Sequence, residues 1–252
     1  MANPSAADAM ILALPETAGS ALYGMVDVLA ATGMIWRELV GEEPGLPLIR
    51  PRIVSPEKRL FRCGNDIPVN PDVTIEQAHA PDVVIVPELW LAPTDDIRDR
   101  HSDVKDWLRR CYGSGSSIYS ACSGSVLLAA AGLLDGREAT SHWGYQDLFR
   151  KSFPKVRFNP APNLVIADLT GRIVTAGGTT SWHDLAIHTF RAIAVPVRHC
   201  ALPRSTCSSG TGKGNFRMPV SYADSRTRIP SCERLKAGSP RITGSLTPFR
   251  LW

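Results

Sequence analysis

No CxxC pair occurs among the six cysteines, Cys63, Cys111, Cys122, Cys200, Cys207 and Cys232, which excludes a zinc ribbon and argues against a disulfide scaffold. No apolar run is long enough to cross a membrane: the longest uncharged one, Val126 to Leu134, falls far short of the roughly 18 residues a spanning helix needs. The first eight residues carry no basic segment and the Met10 to Leu14 run is too short for a secretory signal, so a cytoplasmic protein with free thiols is expected. Metal-ligand spacing is missing among the six histidines, because His183 and His188 stand five apart and fall off one helical face. No metal site is therefore expected.

Strong positive charge is missing too, over most of the chain. From Val195 onward ten Lys/Arg oppose two Asp/Glu, whereas the first 194 residues hold 18 Lys/Arg against 22 Asp/Glu. The formal net charge of +4 thus comes from the end of the chain. The core lacks the basic footprint of a nucleic-acid binder, and no direct nucleic-acid binding is expected. Gly210-Thr211-Gly212-Lys213-Gly214 resembles a phosphate loop but has neither the leading glycine, nor the Ser/Thr after the lysine, nor a preceding strand. No cofactor is implied.

What is there is an alternation of strands and helices. Met10 to Leu14 is a short apolar run stopped by Pro15, and Thr17 is placed to cap a helix over Ala18 to Gly33, whose apolar residues recur at three and four. Ile49 to Val54 is a second strand, and Gly64-Asn65-Asp66 with Asn70-Pro71-Asp72 marks turns around a hairpin. Asp82 to Pro87 is a continuous β-branched run, the mark of a parallel strand covered on both faces. Val104 to Tyr112 reads as a helix, Ile118 to Ser120 as a buried strand, and Ser125 to Ala131 as a helix apolar all round. Ala139 to Ser141 reads as a strand, Trp143 to Lys151 as a helix and Val156 to Phe158 as an edge strand. A hairpin over Leu164 to Ala176 and a helix over Ser181 to Ile193, with His183-Asp184 at its start, complete the order. The alternation predicts an α/β fold, a flavodoxin-like three-layer sandwich with a mostly parallel central sheet.

Residues 9–194 form the expected domain. Residues 195–252 hold six prolines with many Ser, Gly and Arg and no apolar period, which reads either as a disordered basic tail or as a frame-shifted translation.

Ser120-Ala121-Cys122-Ser123-Gly124 joins the Ile118 strand to the Ser125 helix, with small residues two before and two after the cysteine. A nucleophile elbow demands that pattern, because the turn is sharp and backbone angles at its centre are strained. The turn aims the Cys122 side chain out of the carboxyl end of a strand, where open α/β folds bind ligands. Helix N-terminal N–H groups beside it favour a thiolate and could hold an oxyanion. The alternative use of such a residue is a buried structural cysteine.

Cys122-Ser123-Gly124 followed by Val126 to Trp143, and Thr175-Ala176-Gly177-Gly178 followed by Asp184 to His188, resemble the ThiJ/PfpI (class I glutamine amidotransferase-like) domains of AraC-type transcriptional regulators and of isocyanide hydratases. The resemblance covers about residues 9 to 192. It implies a homodimer with its small-molecule pocket at Cys122, lined by Glu16, Ser123, Gly124, Trp143 and Gly177. It also implies a pocket role for His142, which could polarise a ligand or act as a base or could simply pack beside Trp143.

The chain departs from the family pattern in three places. Ala21 stands where the enzymes carry an acid on the first helix, with Glu16 about one turn away. Ser123 replaces the histidine that follows the cysteine in PfpI-type proteases. Pro87-Glu88-Leu89-Trp90 replaces a glycine-rich loop, which could bring the Glu88 carboxylate into the pocket.

The resulting expectation is a small-molecule-sensing domain of the AraC-type regulator lineage, without the helix-turn-helix units that follow in those regulators. The alternatives are a cysteine-dependent enzyme (isocyanide hydratase, glyoxalase-like hydratase or amidase) with Cys122, His142 and Glu88 as catalytic candidates, or a redox-responsive stress protein in which Cys122 is oxidised.

Overall fold

The computed structural model describes residues 6–194 apart from positions 40, 44, 96 and 179, so the 195–252 segment lies outside it. The strands are β1 (Ala7–Leu12), β2 (Ile49–Ser55), β3 (Phe61–Cys63), β4 (Ile67–Val69), β5 (Val73–Thr74), β6 (Val83–Val86), β7 (Ser117–Ala121), β8 (Glu138–Ala139), β9 (Arg157–Phe158), β10 (Leu164–Ile166) and β11 (Ile173–Ala176). The helices are α1 (Gly19–Ala30), α2 (Ile35–Leu39), α3 (Ser102–Gly113), α4 (Gly124–Ala130), α5 (Gln146–Ser152) and α6 (Trp182–Thr189).

Seven strands form one sheet in the order β10-β11-β7-β6-β1-β2-β5. Every neighbouring pair is parallel except β10 with β11. Successive side chains on a strand point to opposite faces, and here each face has its own core. Met10 and Leu12 of β1, Val84 and Val86 of β6 and Ile118 of β7 pack against Trp107 and Leu108 of α3, Val126 to Ala129 of α4 and Phe149 of α5. Ala9 and Ile11, Val83 and Ile85, and Tyr119 with Ala121 pack on the other side against Leu22, Met25 and Leu29 of α1 and Leu185 of α6. The product is the three-layer α/β sandwich expected. The unbroken apolar runs of β1 and β6 follow from it, since neither face of a central parallel strand meets water. Each fully buried Val or Ile in these strands stabilises the fold by about 1.5–3 kcal/mol.

Several local expectations are corrected by the structure. Thr17 does not cap α1: Ala18 is the N-cap without a side-chain bond, and the Thr17 hydroxyl instead accepts from the Leu14 N–H at 2.8 Å. The helix expected from Trp143 begins as a 3-10 turn over Trp143–Tyr145, with the His142 side chain accepting from the Gly144 N–H, before α5 starts. The expected edge strand forms as β9 and pairs with β8, in a two-stranded sheet apart from the main one. α6 ends at Thr189 and passes into a π turn, Phe190–Ala194. His183 leaves the N–H groups of α6 uncapped, its Nδ1 lying 3.0 Å from the Thr180 carbonyl oxygen. The hairpin expected around the Gly64-Asn65-Asp66 turn is present as β3 and β4. Among the described residues no helix is long and apolar enough to cross a membrane.

Backbone comes close to backbone where α4 leaves β7 and crosses the end of β6. A Cβ on Gly124 would stand 2.5 Å from both the Val86 and the Pro87 carbonyl oxygens. Backbone cannot yield as a flexible side chain does, so Gly124→Ala is expected to lower stability by about 1–3 kcal/mol, read as a fall in urea midpoint with unchanged slope.

Candidate functional site

Cys122 occupies the turn between β7 and α4 with φ 51, in the left-handed region that residues other than glycine rarely adopt. Such a residue costs about 1–3 kcal/mol and persists only where its surroundings over-determine it. They do so here. The Cys122 N–H donates to the Ala176 carbonyl at 2.9 Å. Its own carbonyl accepts from the Ser125 hydroxyl at 2.8 Å, the Ser141 hydroxyl at 2.7 Å and the Ser125 N–H at 3.3 Å. The elbow is therefore tied to α4, to β11 and to the segment after β8 at once.

The thiol at its apex is only 3% exposed. Burial, with the Glu88 carboxylate beside it, pushes the thiol up to about 12, against the opposing effect of hydrogen bonds from Ser123. The expected pull of the helix N-terminus toward a thiolate is outweighed by desolvation.

Glu88 sits in the loop leaving β6, half-buried. Burial raises its carboxyl above the ordinary range, and a hydrogen bond to Cys122 and the nearby His142 ring pull back the other way. The loop is held on several sides. Ala18 N–H donates to the Glu88 carbonyl at 2.8 Å and Trp90 N–H to the Glu16 carbonyl at 2.6 Å. The Tyr145 hydroxyl donates to the Leu91 carbonyl at 2.7 Å. Burial pushes that phenol up to about 12, with Cys122 and Glu88 adding to the rise, so it stays neutral.

His142 is half-buried between Trp143, with ring centroids 5.2 Å apart, and the edge of Tyr145 at 6.4 Å. Its Nδ1 accepts from the Gly144 N–H at 3.1 Å. In the neutral ring the proton therefore lies on Nε2, which is left as a donor.

The three catalytic candidates, Cys122, Glu88 and His142, are thus brought together. The residues expected to line the pocket fare differently. Glu16 turns to another partner: its carboxylate accepts from His101 Nε2 at 3.2 Å and lies 3.9 Å from Arg100. Ser123 is wholly buried, with its hydroxyl bound to the Leu89 backbone. Gly124 faces the Val86 and Pro87 carbonyls. Trp143 is 72% exposed and reaches the site only by its ring contact with His142. Gly177 is buried, and a Cβ on it would meet the Pro162 carbonyl oxygen at 3.3 Å. Ala21, where an acid is expected in the family's enzymes, is buried in α1.

Sequence reading misses Tyr145, Ser125 and Ser141. Tyr145 stands three residues past His142, a spacing that one helical turn folds back onto the same side. The serines carry no signal apart from the elbow's need for donors. Among the described residues no group of three His, Cys, Asp or Glu side chains is placed to hold a metal ion.

The DJ-1/PfpI family profile matches residues 36–191, and the chain belongs to that family. It is 33% identical over 135 residues to the HTH-type transcriptional regulator CdhR of Pseudomonas aeruginosa, a match covering 53% of this chain and 38% of that regulator. It is 28% identical over 177 residues to an isonitrile hydratase of Pseudomonas putida, covering 70% of this chain and 67% of the hydratase. The chain thus spans well under half the regulator's length and about two thirds of the hydratase's. Among solved structures, Drosophila melanogaster DJ-1beta superposes with TM-score 0.58 at 19% identity over 78% of this chain and 96% of that one. An AraC family transcriptional regulator from Pseudomonas putida superposes with TM-score 0.56 at 14% identity over 78% and 99%. The chain accordingly carries a DJ-1/PfpI domain related both to HTH-type regulators and to isonitrile hydratase.

The Glu16 carboxyl is held below the ordinary carboxylate value chiefly by its hydrogen bond from His101. A lowered folded value stabilises at pH above 4.5, the ordinary value, and that contribution is lost as pH falls through the folded value. Glu16→Gln should therefore cost on the order of 1 kcal/mol near neutrality, and the gap to wild type in urea midpoint should close in acid.

Proposed function

We propose that this chain is the small-molecule-sensing domain of a regulator in the AraC lineage, cytoplasmic and homodimeric, with Cys122 as the floor of its ligand pocket. The observation that carries this reading is the buried thiol pushed up to about 12. A catalytic cysteine needs a thiolate near neutral pH, and such sites are electropositive and partly open. Here the sulfur is desolvated and faces a carboxyl, and the first helix offers Ala21 in place of an acid. A neutral thiol, a carboxyl, a neutral phenol and an imidazole Nε2–H offer a ligand both donors and acceptors, with no group among them primed to react.

A second reading is favoured by the longer match to the isonitrile hydratase and by the raised carboxyl of Glu88, which suits proton transfer. In that reaction Cys122 Sγ would bond to the terminal isonitrile carbon. A proton would pass to the same carbon, and water would then displace the sulfur to leave an N-substituted formamide.

Turnover separates the two readings. Wild type and Cys122→Ser are compared on isonitriles and on methylglyoxal, with product followed by chromatography. Sensing predicts no product above the variant's background; Cys122-dependent turnover of either would replace it with the enzyme reading.

A further inference from the structure

The residue after the elbow cysteine makes both a donor and an acceptor bond to one distant residue, besides its hydroxyl's contacts with the Cys122 sulfur and the Tyr145 phenol. The Ser123 hydroxyl accepts from the Leu89 N–H at 2.8 Å and donates to the Leu89 carbonyl at 2.5 Å. Ser123 is 0% exposed and Leu89 2%, so both bonds are shielded from water and neither backbone group has solvent to replace a lost partner. Leu89 directly follows Glu88, whose carboxyl meets Cys122. The opposite side of this stretch is held by the loop after β1, where Thr17 bridges to Leu89 and Ala18 N–H donates to the Glu88 carbonyl. Those contacts fix the loop to β1. The Ser123 bonds fix it to the elbow, since Ser123 is the neighbour of Cys122 in the chain.

We infer that Ser123 is a positioning residue that, by clamping both backbone groups of Leu89, holds the Glu88 carboxyl against the Cys122 thiol. This rests on the reading of Cys122 and Glu88 as the paired heart of the pocket. Physically, the acid comes from a loop that the Ser123 bonds reach across 34 residues of sequence. Without a tether between the two, its distance from the sulfur would follow every movement of the β1 and β6 loops. The hydroxyl supplies that tether with a donor and an acceptor on one atom, which alanine, glycine or cysteine at this position cannot do as well. It also explains why a serine stands where a pocket-lining side chain is expected: its two bonds to backbone are directed to the loop.

The test is a double-mutant cycle on the full chain. The rate of Cys122 alkylation by iodoacetamide against pH is measured in wild type, Ser123→Ala, Glu88→Gln and the double variant, with thermal melting of each. Glu88→Gln removes the carboxylate facing the thiol and should speed alkylation, by roughly three- to fourfold for each unit by which the thiol pKa falls, since the gain in thiolate is partly offset by its lower nucleophilicity. Ser123→Ala also removes a direct hydrogen bond to the sulfur, but that loss is common to both backgrounds and cancels in the cycle. The inference predicts a clear coupling: Ser123→Ala speeds alkylation more in the wild-type background than in the Glu88→Gln background, and does so without a matching coupling in melting temperature. Effects that multiply independently would overturn it. If Glu88→Gln itself leaves the profile unchanged, the Cys122–Glu88 pairing falls instead, and the inference with it. The near-isosteric pair Ser123→Thr and Ser123→Val, differing only in the hydroxyl, runs the same cycle if alanine prevents folding.

Discussion

The carbonyl oxygen of Cys122 is where the structure is most tightly determined. A cysteine at φ 51 is an unfavourable backbone state, and it is maintained by two serine hydroxyls and an N–H converging on that one oxygen. Meeting those bonds requires β7 to end where it does, α4 to start at Gly124, and the segment carrying Ser141 and His142 to lie across the elbow. The close approach of Gly124 to the end of β6 then brings the 87–91 loop over the sulfur. The positions of Glu88, His142 and Tyr145 around Cys122 are consequences of that packing, so the site and the core of the sandwich are one arrangement.

The same packing decides the chemistry. Bringing β6, β7 and α4 this close leaves little room for water, and a dry thiol next to a carboxyl resists ionisation. Desolvation thus overrides the helix N-terminus, whose short α4 of seven residues offers the sulfur only partial charge. The strained elbow is retained while burial and the Glu88 carboxylate oppose the thiolate.

Much of the sheet is legible in the sequence because β1 and β6 sit between two cores and so carry apolar runs that no helix period explains. The elbow is legible because its steric demands fall on adjacent residues, Ser120 and Gly124. Pairings set by long-range contact are not. β9 reads as an edge strand, but its pairing with β8 is not legible, because a two-residue strand carries no periodic signal. Glu16 and Ser123 lie in the expected places along the chain, but the direction of each side chain is decided by partners far away, His101 and Leu89. Tyr145 leaves only its three-residue spacing from His142 as a local trace, since its hydroxyl acts on a loop 54 residues earlier.

Everything proposed for the site depends on a neutral Cys122 in the resting protein. A titration of thiolate ultraviolet absorbance, taken as the difference between wild type and Cys122→Ser, reads that state directly. Ionisation only well above the unperturbed thiol value of about 8.5, approaching the region of about 12, is the predicted result. An ionisation at or below the unperturbed value would contradict it and mark Cys122 as a reactive nucleophile.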